Sequence, residues 1–150
     1  MKIRIAVVRE VDPDNKSEII MEVIDADFSH ILIIYEEGHR DMVFHATKKG
    51  VHKLELTEYL KDHIIVKEKT VELLKSRDYF LGYVKGSNGK EYGTEQLPGT
   101  EVEFLQKFGD NGETKMICSE LVAEVLEDMA GIDIKGDNDF CNPKDVIDAI

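Results

Sequence analysis

The feature that most constrains this chain is a pair of short apolar runs separated by a polar turn. His30-Ile31-Leu32-Ile33-Ile34-Tyr35 is unbroken in apolar residues after its first position. Glu36-Glu37-Gly38-His39-Arg40-Asp41 interrupts it, and Met42-Val43-Phe44-His45-Ala46 returns. A short continuous apolar run bounded by turn residues reads as a buried strand. Two such runs across a polar turn read as antiparallel neighbours in the core of a sheet. Each carries one histidine, and that is the first hint of chemistry.

Other segments extend the sheet. Residues 2–8 alternate and are β-branched, so they read as a first strand, followed by the turn Asp12-Pro13-Asp14-Asn15. Val51-His52-Lys53-Leu54 and residues 64–69 read as further strands. Helices are expected from Ser17, as cap, through Ile24, from Thr57 through Glu58 to His63, over Thr70 to Tyr79, and over Glu101 to Phe108. Gly82 to Gly93 carries four glycines and reads as a long loop of the kind that covers sites. The clearest helix runs from Thr114 through Met129 and stops at Gly131. Asn142-Pro143 opens a last helix over residues 144–149. The expected fold class is α+β, with an antiparallel sheet packed against helices in one domain over residues 1–150.

Composition excludes several functions. The chain has 150 residues, a net charge of −12, 42% hydrophobic residues and 33% charged residues, a soluble globular balance. A nucleic-acid binder needs the opposite charge, because phosphates are neutralised by Lys and Arg. No apolar run approaches the roughly 18 residues of a membrane span, so stable membrane insertion is not expected. The opening stretch Met1 to Val8 ends at Arg9-Glu10 without a long apolar region or a small-residue cleavage site. It reads as a strand, not a signal peptide, and a cytoplasmic location follows by default. Cys118 and Cys141 then read as free thiols. No His-x-x-x-His or Cys-x-x-Cys spacing occurs, and the glycines lack a phosphate-loop frame, so no metal or cofactor is expected.

Cys118 is the chemically interesting thiol. It sits near the start of the Thr114–Met129 helix, and Leu121, Val122, Val125, Leu126 and Met129 follow it at helical spacing. The thiol thus shares the buried face, toward the sheet. A helix N-terminus favours a thiolate and offers free amides to an oxyanion. His30 heads one strand and His45 lies on the strand beside it. One imidazole would be the base and the other would hold its tautomer. Taken singly, Cys118 and His30 read as ordinary core residues; together they make a candidate Cys–His–His site. Ser29, Ser119 and Glu120 flank the base and nucleophile and are candidate substrate-binding residues. His39, His52 and His63 read as surface residues.

Ser29-His30-Ile31-Leu32-Ile33, then Val43-Phe44-His45-Ala46 and Gly50-Val51, then Ile117-Cys118-Ser119-Glu120-Leu121-Val122 far downstream form an ordered set. This set resembles the circularly permuted papain-like families: relatives of the NlpC-type peptidases, the YiiX-like proteins and the lecithin–retinol acyltransferase group. In those families the His-bearing strands precede the Cys helix. The Cys-Ser-Glu-Leu-Val string and the terminal Asn142-Pro143-Lys144-Asp145-Val146 stretch resemble the YiiX-like branch in particular. The resemblance spans roughly residues 27–149 but rests on about fifteen positions. It implies a permuted papain-like fold with Cys118 as nucleophile, His30 as base and His45 in the third polar position. YiiX-like proteins often carry Glu at that third position, whereas the other groups often carry His. The implied activity is hydrolysis or acyl transfer at an amide, ester or thioester carbonyl of a peptide, acyl or lipid-like substrate. The alternative is a non-catalytic acidic interaction or accessory protein, in the manner of a virion-associated factor, that keeps the fold.

Overall fold

A computed structural model describes residues 1–47, 49–89, 117–134 and 142–150. Its elements are β1 (Lys2–Glu10), α1 (Asn15–Ile24), β2 (His30–Glu37), β3 (Arg40–Thr47), β4 (Gly50–Glu55), α2 (Leu56–Tyr59), β5 (His63–Glu72), α3 (Arg77–Ser87), α4 (Ile117–Ala130) and α5 (Pro143–Ala149). The class is mixed α and β. The strands form a five-stranded sheet in the order β4-β3-β2-β1-β5. Every neighbouring pair is antiparallel.

The apolar runs at 5–8 and 31–34 lie in β1 and β2, both interior strands of the sheet, and all eight of these residues are buried. Alternation then divides them between two layers. Ile5, Val7, Ile31, Ile33, Tyr35, Phe44 and Ala46 face the main core, where Leu121, Val122, Val125, Leu126 and Met129 of α4 pack. Ala6, Val8, Leu32, Ile34 and Val43 face a smaller core closed by Leu56 and Tyr59 of α2. Burying each α4 side chain contributes roughly 1.5–3 kcal/mol before entropy is counted. That apolar stripe is what fixes α4 across β2 and β3.

The turns follow their residues. Glu37 pairs with Arg40, so β2 and β3 are joined by a two-residue hairpin. Its residues Gly38 and His39 both take positive φ, 58° and 69°, as the twist of such a hairpin requires. Gly131 (φ 68°) ends α4, and the Ile132 amide donates back to the Leu126 carbonyl at 3.0 Å. Asn142 and Asp145 cap α5 reciprocally, with Pro143 in its first turn.

Several expected elements differ. Thr70 to Tyr79 is not one helix. β5 continues to Glu72 because β1 pairs with it as far as Lys2 and Glu72. Val71 and Leu73, two apart, are the buried residues there, while Leu74 is exposed. The helix starts only at Arg77, where the Ser76 hydroxyl caps the Tyr79 amide. α3 then runs through Gly82 and Gly86, where a loop was expected, because Phe80 and Val84 bury one side of it. The helix expected to reach His63 ends at Tyr59, and His63 opens β5. Asp14, not Ser17, caps α1 through its Oδ1 at 2.8 Å from the Ser17 amide. The expected Glu101–Phe108 helix, residues 114–116 and Cys141 lie outside the described residues. Among the described residues, no helix is long and apolar enough to cross a membrane.

Candidate active site

β2 and β3 pair from Glu37–Arg40 to Ile33–Phe44, and there the ladder ends. Both strands continue, β2 against β1 through His30 and β3 against β4 through Thr47. A fork therefore opens between His30–Leu32 and His45–Thr47. Across it, His30 Nε2 and His45 Nδ1 are 2.9 Å apart and share a hydrogen bond. The rings are nearly perpendicular, 73°, with centroids 5.1 Å apart. Period-two alternation explains the meeting. His30 follows the face of Leu32 and Ile34, and His45 follows the face of Val43, so both imidazoles lie on the α2 side.

His45 has a second aromatic neighbour. The Tyr59 ring stands at 90° to it, with centroids 5.5 Å apart. His63 stacks on Tyr59 at 4.0 Å and 12°. Its Nδ1 lies 3.1 Å from the Tyr59 carbonyl and 2.6 Å from Asp62 Oδ1. Thus His63 is not the surface residue the sequence suggested. His52 is half-buried and faces His45 across the β3–β4 pair, and only His39 is fully exposed. The missed residues are Tyr59 and His63. Their signal was their spacing, four apart, beyond a strand whose histidine faces them.

Cys118 occupies the first turn of α4 and belongs to the main core, on the other side of the sheet from the two imidazoles. It is a free thiol and only 4% exposed. The Ile31 backbone amide, next to His30 and on the opened stretch of β2, acts on the thiol. The thiol's hydrogen-bonding neighbour among the described residues is the Ser119 hydroxyl, with Sγ and Oγ 3.9 Å apart. No hydrogen bond joins it to either imidazole among those residues. Ser119 is fully buried beside it, and Glu120 is partly buried one residue on. Ser29 is buried before β2, its amide donating to the Val8 carbonyl at 3.0 Å.

Electrostatics set the resting protonation. Burial pushes the Cys118 thiol above its ordinary value. The Ile31 amide, the Ser119 hydroxyl and the first-turn amides of Ser119 and Cys118 oppose the rise without cancelling it. Burial, then the nearby His45 and His63, hold His30 well below the ordinary imidazole value. His45 is lowered to about 4, by burial first and then by His52 and His63. Near neutral pH the resting groups are a protonated thiol and two neutral imidazoles. The direction of the thiol's shift runs against the thiolate that the helix position favours. A helix terminus favours the anion, but enclosure of the sulfur outweighs it.

With His30 Nε2 committed to His45, Nδ1 is the ring nitrogen left for another partner. Among the described residues, no group of three or more His, Cys, Asp or Glu side chains is placed to hold a metal ion. No family model matches the chain, and no curated protein matches it at a significant level.

Proposed function

We propose that this protein is a thiol hydrolase or acyltransferase of the permuted papain-like kind. Its nucleophile is Cys118, its base is His30, and His45 is the group that orients the base. The observation that carries this reading is the 2.9 Å His30–His45 hydrogen bond at the fork between β2 and β3, the two strands on which α4 packs. An imidazole held by a second imidazole has one nitrogen fixed and the other presented, which is what a base needs. The first-turn position of Cys118 in α4 supports the same reading, because backbone amides at a helix start can hold an oxyanion. The ordered motif set, histidine strands before the cysteine helix, supports it from the sequence.

The chemistry runs through a covalent thioester. The Cys118 proton passes to His30 Nδ1 as the sulfur forms a bond to the substrate carbonyl carbon. The carbonyl oxygen takes the negative charge, and the Cys118 backbone amide donates to it. The bond to the leaving group breaks as His30 returns its proton to that group. Water or an acceptor then gives a proton to His30 and attacks the thioester carbon, which releases the acyl group and restores the thiol. Since both resting groups are neutral, proton transfer accompanies attack instead of preceding it. Ser29, Ser119 and Glu120, next to His30 and Cys118 in the sequence, are the residues proposed to meet substrate.

Turnover of an activated ester such as p-nitrophenyl acetate tests the reading. Cys118→Ala abolishes turnover, and His30→Gln lowers it by about 100-fold or more, the usual contribution of a general base. Equal turnover in wild type and Cys118→Ala would overturn it. The second reading is a non-catalytic interaction protein that keeps this cluster as core. The 4% exposure of Cys118 favours it, and it expects no turnover above the folded Cys118→Ala control.

A further inference from the structure

We propose that Tyr59 is a positioning residue for the His30–His45 pair. Its ring selects the His45 tautomer that carries its proton on Nε2 and accepts from His30 at Nδ1. The proposal rests on the catalytic reading above and names what regulates its base.

The 2.9 Å bond between His30 Nε2 and His45 Nδ1 can be made in two ways. In one, His45 Nδ1–H donates to His30 Nε2, the neutral His30 carries its proton on Nδ1, and neither His30 nitrogen has a lone pair left to take another proton. In the other, His30 Nε2–H donates to His45 Nδ1, and His30 Nδ1 is a free base. Only the second fits a proton transfer from Cys118. Something other than the bond itself must choose between them.

The second contact of His45 is Tyr59, perpendicular at 5.5 Å. The face of a phenol ring is negative and the edge of an imidazole is most positive at an N–H. A perpendicular pair in which His45 turns its edge to the Tyr59 face, the arrangement this proposal assigns, is thus favoured when that edge carries a proton, and the remaining nitrogen is Nε2. The fold invests in holding this ring. α2 is only one turn long, and Leu56 and Tyr59 are its buried residues. His63 covers Tyr59 by stacking at 4.0 Å, and is itself fixed to the Tyr59 carbonyl and to Asp62. The proposal assigns the action to the Tyr59 ring and not to its hydroxyl. Burial holds that hydroxyl well above the usual phenol range, with the Cys118, Asp62 and Glu10 charges adding to it.

The experiment is a two-bond proton–nitrogen NMR correlation of the histidine side chains, recorded on wild type, Tyr59→Phe and Tyr59→Leu. It is paired with the pH profile of Cys118 alkylation in each. Wild type and Tyr59→Phe are expected to show a single His45 tautomer protonated on Nε2, with superimposable alkylation profiles. Tyr59→Leu is expected to mix the two tautomers and to lower alkylation at pH 7 by roughly threefold or more. A wild-type His45 protonated on Nδ1 would overturn the proposal whatever the variants do. A Tyr59→Phe protein as impaired as Tyr59→Leu would overturn it in favour of the hydroxyl. If the tautomers behave as stated while the ester is not turned over, the catalytic reading fails and the positioning claim stands.

Discussion

His30 and His45 meet across a gap in the sheet: their ring nitrogens are 2.9 Å apart where the β2–β3 backbone ladder has already ended at Ile33 and Phe44. A side-chain bond therefore spans the fork that backbone bonds leave open. That bond requires at least one imidazole to be neutral, because two imidazolium rings offer only donors.

Stability should follow from this. Both imidazoles titrate below their ordinary value of 6.5 in the folded chain, His45 at about 4. Between pH 6.5 and about 4 the unfolded chain binds more protons than the folded one, so stability falls as pH falls through that window. Above pH 6.5 these groups leave stability unchanged. The His45 contribution is on the order of 3 kcal/mol. Urea unfolding across this range should show the loss, and His45→Phe should flatten it. A wild-type curve that is level from pH 7 to 4.5 would contradict the burial-driven shift.

The Cys118 thiol should react as an enclosed thiol, not as a preformed thiolate. Burial raises it above 9.0, so the rate of iodoacetamide labelling of the folded protein should still be climbing past that pH. Labelling in urea at pH 7 should be at least about tenfold faster, since unfolding restores an ordinary thiol near 8.5. A plateau below pH 7 would instead mark a resting thiolate–imidazolium pair.

Gly82 and Gly86 test the reading of α3. Both are exposed helical positions, and a Cβ at either meets nothing within 4 Å. Alanine at each should stabilise the helix by about 1 kcal/mol, so Gly82→Ala/Gly86→Ala should raise Tm by roughly 4 °C or more. A fall in Tm would place these residues outside a helix.

The central sheet was legible because its apolar runs are continuous and its hairpin turn is punctuated by Gly38. The meeting of His30 and His45 was legible too, since strand alternation places them on one face. What the one-dimensional pattern hid was tertiary. β1 draws residues 63–72 into an edge strand, which overrides the helical spacing of Val71 and Leu74. The burial of Phe80 and Val84 carries α3 through two glycines whose propensity argues for a loop. The roles of Tyr59 and His63 were hidden because nothing in sequence shows a one-turn helix delivering a ring onto His45. Enclosure of Cys118 was hidden for a similar reason, as helix position announces the dipole but not the solvent around the sulfur.

The most direct measurement is rapid-quench intact-mass analysis of the protein mixed with an activated ester, with peptide mapping of any adduct. The account predicts one transient acyl group on Cys118, absent in Cys118→Ala and formed about 100-fold more slowly in His30→Gln. Acylation of Cys118 at the same rate in wild type and in folded His30→Gln would contradict it, as would a folded wild-type protein that never acquires an adduct there.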